Sequence, residues 1–206
     1  MQKTICRIVL ICLWCLVAVG HEQSVGKAQS QAQILVLTPP IEIGRTFVPS
    51  GYMGDGEKGK MYVEVKPVVG EKPRPGDEDS MCTKISYKPG AIGWAGVYWL
   101  YPANNWGDVP GRSIRGGTKL VFWAAGQKGG EIVEFKSGGV SAAGKKYRDS
   151  YEVSLGSTAL TKDWKRYEID LRNQKLSSVI GAFAWVATSD ANPGGLTFYL
   201  DSIRFE

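Results

Sequence analysis

The chain has 206 residues, a net charge of +5, 26 glycines, 10 prolines, 4 cysteines and a single histidine. That histidine, His21, lies near the N-terminus, so Ser-His-Asp and Cys-His catalysis, His-bound zinc and facial-triad iron, which all need an imidazole inside the fold, are disfavoured together. The mild positive excess is scattered among acids and gives no nucleic-acid footprint.

Lys3 and Arg7 precede an apolar run, Ile8 to Val19, that ends in the small residues Ala18 and Gly20. A charged start, a short apolar core and a small-residue exit predict a secretory signal peptide over residues 1–20. The run falls short of the roughly 20 residues that span a bilayer, so no stable membrane insertion is expected after cleavage. Neither Cys12 nor Cys15 has the small-residue context of a lipoprotein cysteine. The expected destination is secreted, periplasmic or cell-surface. Cleavage would remove Cys6, Cys12 and Cys15, leave Cys82 alone, and lower the net charge to +3 by loss of Lys3 and Arg7. Without a disulfide the domain must rest on an ordinary hydrophobic core. Cys82 sits in the alternating stretch MCTKISY and reads as a buried, inert thiol.

Residues 21–40 read as a flexible linker rich in Gln, Ser, Ala, Gly and Lys, with a short apolar run, Ile34 to Leu37, before Pro39-Pro40. Thr46 to Gly59 reads as a loop punctuated by four glycines and a proline. Strand after strand follows: 61–65, 81–87, 94–100, 119–124, 131–136, 151–155, 165–171, 180–187 and 196–205. These runs are rich in Val, Ile, Tyr, Phe and Trp and are separated by turn residues, and no window carries a comparable helical period. The fold class expected is all-β, an antiparallel β-sandwich of jelly-roll type, filling residues 41–206 as one domain and acting as a monomer.

Within it the stretch Gly93 to Gly111 gathers Trp94, Tyr98, Trp99, Tyr101 and Trp106 around Asn104 and Asn105. Aromatic faces stack on the C–H side of a pyranose, and amides meet its hydroxyls. Residues 93–100 read as a strand whose aromatics largely serve the core. The loop from Tyr101 to Gly111 is where a ligand is expected. Trp94, Tyr98, Tyr101, Asn104, Asn105 and Trp106 are the candidate binding residues, and Trp185 with Asn192 could approach from the end of the chain. Core packing is the expectation for Trp123, Trp164 and Trp185, which sit in strong strand patterns.

The segments FVPSGYMGD (47–55), GWAGVYW (93–99), NNWG (104–107), TKLVFWAAGQKGGEIVEFKSGG (118–139), DWKRYEIDL (163–171) and NPGGLTFYLDSIRFE (192–206) carry a family resemblance. Together they resemble the jelly-roll carbohydrate-binding modules with a galactose-binding-domain-like fold, over about residues 42–206. The resemblance implies a non-catalytic partner of polysaccharide or glycan, with no nucleic acid. It also implies a structural Ca2+ at the sheet edge, for which Asp201 matches the last-strand ligand and Asp55 and Glu42 are the N-terminal candidates; hard cations take six to eight oxygens. Two alternatives stand beside this. One is a structural or protein-interaction sandwich. The other is a small glycosidase or lyase, since a carboxylate pair can work without histidine. Glu131 and Glu134 are oddly spaced for a shared face, and Glu168 with Asp170 read as exposed solubilising charges, so the chain is not expected to be an enzyme.

Overall fold

The computed structural model describes residues 34–76 and 81–206. The expected signal peptide and residues 21–33 of the expected linker lie outside the described residues. Among the described residues thirteen strands follow one another: β1 (Val36–Leu37), β2 (Ile41–Glu42), β3 (Val48–Gly54), β4 (Val63–Val69), β5 (Met81–Tyr87), β6 (Trp94–Leu100), β7 (Ser113–Ile114), β8 (Lys119–Gly126), β9 (Ile132–Gly138), β10 (Glu152–Ala159), β11 (Lys165–Asp170), β12 (Gly181–Thr188) and β13 (Leu196–Phe205). One 3-10 turn, Asp55–Lys58, follows β3.

The strands build two antiparallel sheets. One runs in the order β10-β9-β12-β6-β3, the other in the order β11-β8-β13-β5-β4 with β2 added to β13. Consecutive strands repeatedly fall in different sheets, the connectivity expected of a jelly-roll sandwich. Val36–Leu37, at the end of the segment read as linker, pair in parallel with Ser113–Ile114.

Alternation along each strand sorts side chains between the two sheet faces. Val97, Trp99, Val133, Phe135, Phe183 and Trp185 from the first sheet meet Ile85, Leu120, Phe122, Ile169, Phe198 and Phe205 from the second in one buried cluster. Phe122 is the hub of its rings, with centroids 4.8 Å from Phe135, 5.0 Å from Phe183 and 5.5 Å from Tyr167. Each such fully buried ring stabilises the fold by roughly 1.5–3 kcal/mol. Cys82 is buried with Val68 and Tyr199 on the far side of the second sheet, and burial pushes its thiol up to about 11, so it is an inert free thiol as the alternation suggested.

The expected loop over Thr46–Gly59 is overturned in part, because Val48–Gly54 forms β3 and pairs along β6 from Val48 opposite Leu100 to Gly54 opposite Ala95. The glycines and Pro49 that read as loop punctuation are tolerated because β3 is the last strand of its sheet. A register shift between Pro49 and Gly51 absorbs the proline. Pro67 is carried the same way in β4, the outermost strand of the other sheet.

Candidate functional site

The outer face of the five-stranded sheet collects most of the aromatic residues singled out in the sequence. Strand β6 turns Ala95, Val97 and Trp99 into the core, and so turns Trp94, Gly96, Tyr98 and Leu100 outward. Registers then place Met53 and Val186 on either side of Gly96, and Gly51 and Ala184 on either side of Tyr98. Next to these come Glu134 beside Val186 and Lys136 beside Ala184 on β9. The centre of this face is low. A Cβ at Gly96 would lie 2.7 Å from the carbonyl of Trp185 and 2.8 Å from Met53 Cε, so only glycine lets the neighbours close over it.

Rings rise at both ends of that floor. Trp94, at the start of β6, is 37% exposed. At the other end Tyr98 is buried beneath Trp106, whose ring meets it edge-on at 6.0 Å and 86°. Met53, Trp106 and Tyr147 are half-buried against the patch of Tyr98, Leu100, Val140, Ile180 and Ala184. The Tyr98 hydroxyl donates to the Gly138 carbonyl at 3.1 Å, and burial raises its pKa far above the ordinary phenol range. Polar groups flank the floor on the β9–β10 side: Ser154 donates to Glu134 at 2.6 Å, and Lys136 pairs with Glu152. Flat apolar surface edged by hydroxyls and charges is the chemistry that recognises a sugar ring.

Two expected contact residues are placed otherwise. Asn105 is 3% exposed, and its side chain is consumed by its own loop. Nδ2 donates to the carbonyls of Tyr101 (2.9 Å) and Val109 (3.0 Å), while Oδ1 accepts from the backbone N–H of Gly107, Asp108 and Val109 at 3.0, 3.0 and 3.2 Å. It holds the loop in shape and has nothing left for a ligand. Tyr101 continues the inward set of β6, packing edge-on against Phe47 at 6.0 Å, with the Arg112 guanidinium over its ring at 3.7 Å and bonded to its hydroxyl. Asn104 is exposed in a left-handed conformation (φ 61°), its backbone N–H held by Ser50 Oγ at 3.0 Å. Trp94, Tyr98 and Trp106 therefore share a face that Tyr101 does not.

Trp185 and Asn192 do not reach a ligand there. Trp185 is fully buried edge-on to Phe198 at 5.5 Å, and Asn192 joins two hairpins through Ile132. Trp123 and Trp164, expected in the core, are half-buried on the outer face of the second sheet instead. Residues 72–74 cross over them: Arg74 lies 5.2 Å from the centre of the Trp123 ring and bonds Asp201 at 2.8 Å, while Trp164 Nε1 donates to the carbonyl of Pro73 at 3.2 Å. This second aromatic face is covered by the chain itself. The signal for it was present in the alternation, which puts Trp123 opposite Leu120, Phe122 and Ala124.

The three carboxylates expected to hold calcium do not fit one. Asp55, 1% exposed, accepts from the Tyr87 hydroxyl (3.0 Å) and from the N–H of Gly90, Ile92 and Gly93 at 2.8, 2.9 and 3.2 Å. Burial works to raise its pKa, but these donors outweigh it and hold the carboxyl below its usual range. A cation cannot share oxygens already met by four donors. Asp201 is engaged by Arg74 and by Ser202 (3.1 Å), and Glu42 is exposed opposite Arg204. Among the described residues no group of three His, Cys, Asp or Glu is placed to bind a metal.

No family model and no curated protein sequence matches the chain. Solved structures do. The family 11 carbohydrate-binding module of the cellulosomal cellulase Lic26A-Cel5E of Clostridium thermocellum superposes with a TM-score of 0.50 at 15% identity, covering 81% of this chain and 92% of that one. The same family's module in complex with a β-1,3-1,4-mixed-linked tetrasaccharide gives 0.51 at 15% identity, covering 81% and 93%. A family 30 carbohydrate-binding module gives 0.50 at 14% identity, covering 78% and 94%. The likeness spans nearly all of those modules and establishes the jelly-roll fold expected from the sequence.

Proposed function

We propose that this protein is a non-catalytic carbohydrate-binding module that grips a glycan on the outer face of its five-stranded sheet. The observation that carries the reading is the placement of Trp94 and the Tyr98–Trp106 pair at opposite ends of one low, open floor edged by Glu134, Lys136 and Ser154. A chain of sugar rings laid along β6 would stack on the end aromatics and turn hydroxyls sideways to the polar groups on β9 and β10. The fold shared with modules of families 11 and 30, one of them solved in complex with a β-1,3-1,4-mixed-linked tetrasaccharide, supports the same reading. The leader-like N-terminus supports export to where polysaccharides are met.

Among the described residues, neither of the carboxylate pairs weighed for a catalytic reading lies together on the aromatic floor. Glu134 lies on the open face and bonds Ser154, whereas Glu131 is buried beyond the strand end. Asp170 is exposed, and the Arg172 guanidinium beside it holds its carboxyl down at about 2.

The test is retention of the protein on a panel of immobilised and soluble polysaccharides, mixed-linkage β-1,3-1,4-glucan included. Trp94→Ala should weaken binding to the retained glycan at least tenfold, about 1.4 kcal/mol, while Trp123→Ala on the opposite sheet should not. Retention on none of the panel would leave a structural or protein-interaction domain, and release of reducing ends would make the protein an enzyme.

A further inference from the structure

Beyond Trp106 the aromatic floor ends against a second loop, residues 139–150. The Tyr147 N–H donates to the Gly107 carbonyl at 3.0 Å, and Lys145 pairs with Asp108. Gly107 has a left-handed backbone (φ 107°), and a Cβ on it would stand 2.3 Å from the Tyr147 carbonyl oxygen, so the join requires glycine. The Tyr147 ring is half-buried, with Trp106, against the patch of Tyr98, Val140 and Ile180. Lys146 Nζ lies 5.1 Å from the centre of that ring, which sets an ammonium group at the Trp106 end of the floor.

Further cations adjoin it. The Ser178 hydroxyl donates to the Arg148 carbonyl at 2.8 Å and the Ser150 hydroxyl to the Lys175 carbonyl. The Ile114 N–H donates to the Leu176 carbonyl at 2.8 Å, and the Val179 N–H to the Arg112 carbonyl at 2.7 Å. Segments 148–150, 174–179 and 112–115 therefore lie side by side. Arg148, Lys175 and Arg115 each stand at, or one residue from, a hydrogen bond that joins these segments. All three are exposed, as is Lys146, and none of them forms an ion pair among the described residues. The acids of these segments and their neighbours are engaged elsewhere: Asp108 by Lys145, Asp170 by Arg172, and Asp149 by the N–H groups of Val140, Ile180 and Gly181. At mid-floor Glu134 and Lys136 are met by Ser154 and Glu152, so the net charge offered to a ligand comes from the Trp106 end. Neighbouring like charges repel, and an anion laid across them relieves that repulsion.

We propose that the glycan held on the floor is an acidic polysaccharide, whose carboxylate or sulfate groups meet Lys146, Arg148 and Lys175 as the chain passes Trp106 and Tyr147. This rests on the reading of the floor as a glycan site and adds the class of its ligand. A neutral glycan would leave the cations unmatched, and a bare polyanion would leave the rings unused.

The experiment is a calorimetric titration of the whole protein with oligosaccharides of polygalacturonate, alginate and a sulfated galactan, each beside its carboxyl-reduced or desulfated counterpart, at low and high salt. At least one acidic oligosaccharide should bind about tenfold more tightly than its neutral counterpart at low salt, and the margin should shrink at high salt. Lys146→Ala with Arg148→Ala should cut that margin at least threefold, and Lys175→Ala, an exposed residue on another segment, should cut it independently. Trp94→Ala should weaken acidic and neutral binding alike. Equal binding of acidic and neutral partners, still weakened by Trp94→Ala, would overturn the assignment and leave the floor standing as a glycan site. Binding of polyglutamate or duplex DNA as tight as that of the acidic sugar, or acidic binding indifferent to Trp94→Ala, would overturn it in favour of a bare polyanion surface. Binding of no glycan at all would remove the floor and the assignment together.

Discussion

Several side chains that look like ligand-binding chemistry in the sequence are spent on the backbone. Asn105 satisfies five backbone groups of the loop 101–109, so Asn105→Ala leaves buried donors and acceptors unmet and should lower stability by roughly 1–3 kcal/mol in a denaturant melt. Asp55 does the same for the stretch before β6. Asp55→Ala should lower the melting temperature by ~5 °C or more, and by the same amount in calcium and in chelator; a loss seen only in calcium would restore Asp55 as a metal ligand. Asp149 holds the N–H groups of Val140, Ile180 and Gly181 beside the aromatic patch. Burial pushes it up to about 7 against the pull of those bonds. Its folded pKa then lies above the unfolded value of about 4, so its contribution is complete below about pH 4 and is lost as pH rises through 7. Melting temperatures compared at pH 4.5 and 8 should show a decline that Asp149→Ala reduces; parallel profiles would contradict the raised value.

At the level of strands, alternation and the abundance of Val, Ile, Tyr, Phe and Trp made most of the sandwich legible, because half-buried strands need that period. It failed at β3, where Pro49, Gly51 and Gly54 hide an edge strand whose pairing is supplied by β6. Alternation also separates the two faces of a strand without saying what covers either. Trp123 lies opposite a core set and is therefore an outer residue, yet only the path of residues 72–74 decides that Arg74 and Asp201 close over it. Asn104 and Asn105 are identical in the sequence, and only the turn geometry sends one amide into the loop and leaves the other exposed. Glu131 opens the strand expected over 131–136, and its burial against Gly126 arises from a contact no local pattern carries.

For the molecule as a whole, two sheets share one aromatic core and differ in their outer faces. The six-stranded sheet carries Trp123, Trp164 and Tyr199 under the chain's own segment, while the five-stranded sheet leaves Trp94, Met53, Val186 and Trp106 accessible around a glycine-lowered floor. The fold was readable from strand pattern and family resemblance; the open face was not, since it depends on where connecting loops fall. The measurement that tests this most directly is an amide chemical-shift titration with the oligosaccharide of whichever polysaccharide retains the protein. The account predicts perturbations centred on Met53, Trp94, Gly96, Tyr98, Trp106 and Val186. Perturbations centred on Trp123, Trp164 and Tyr199, with the five-stranded sheet silent, would contradict it.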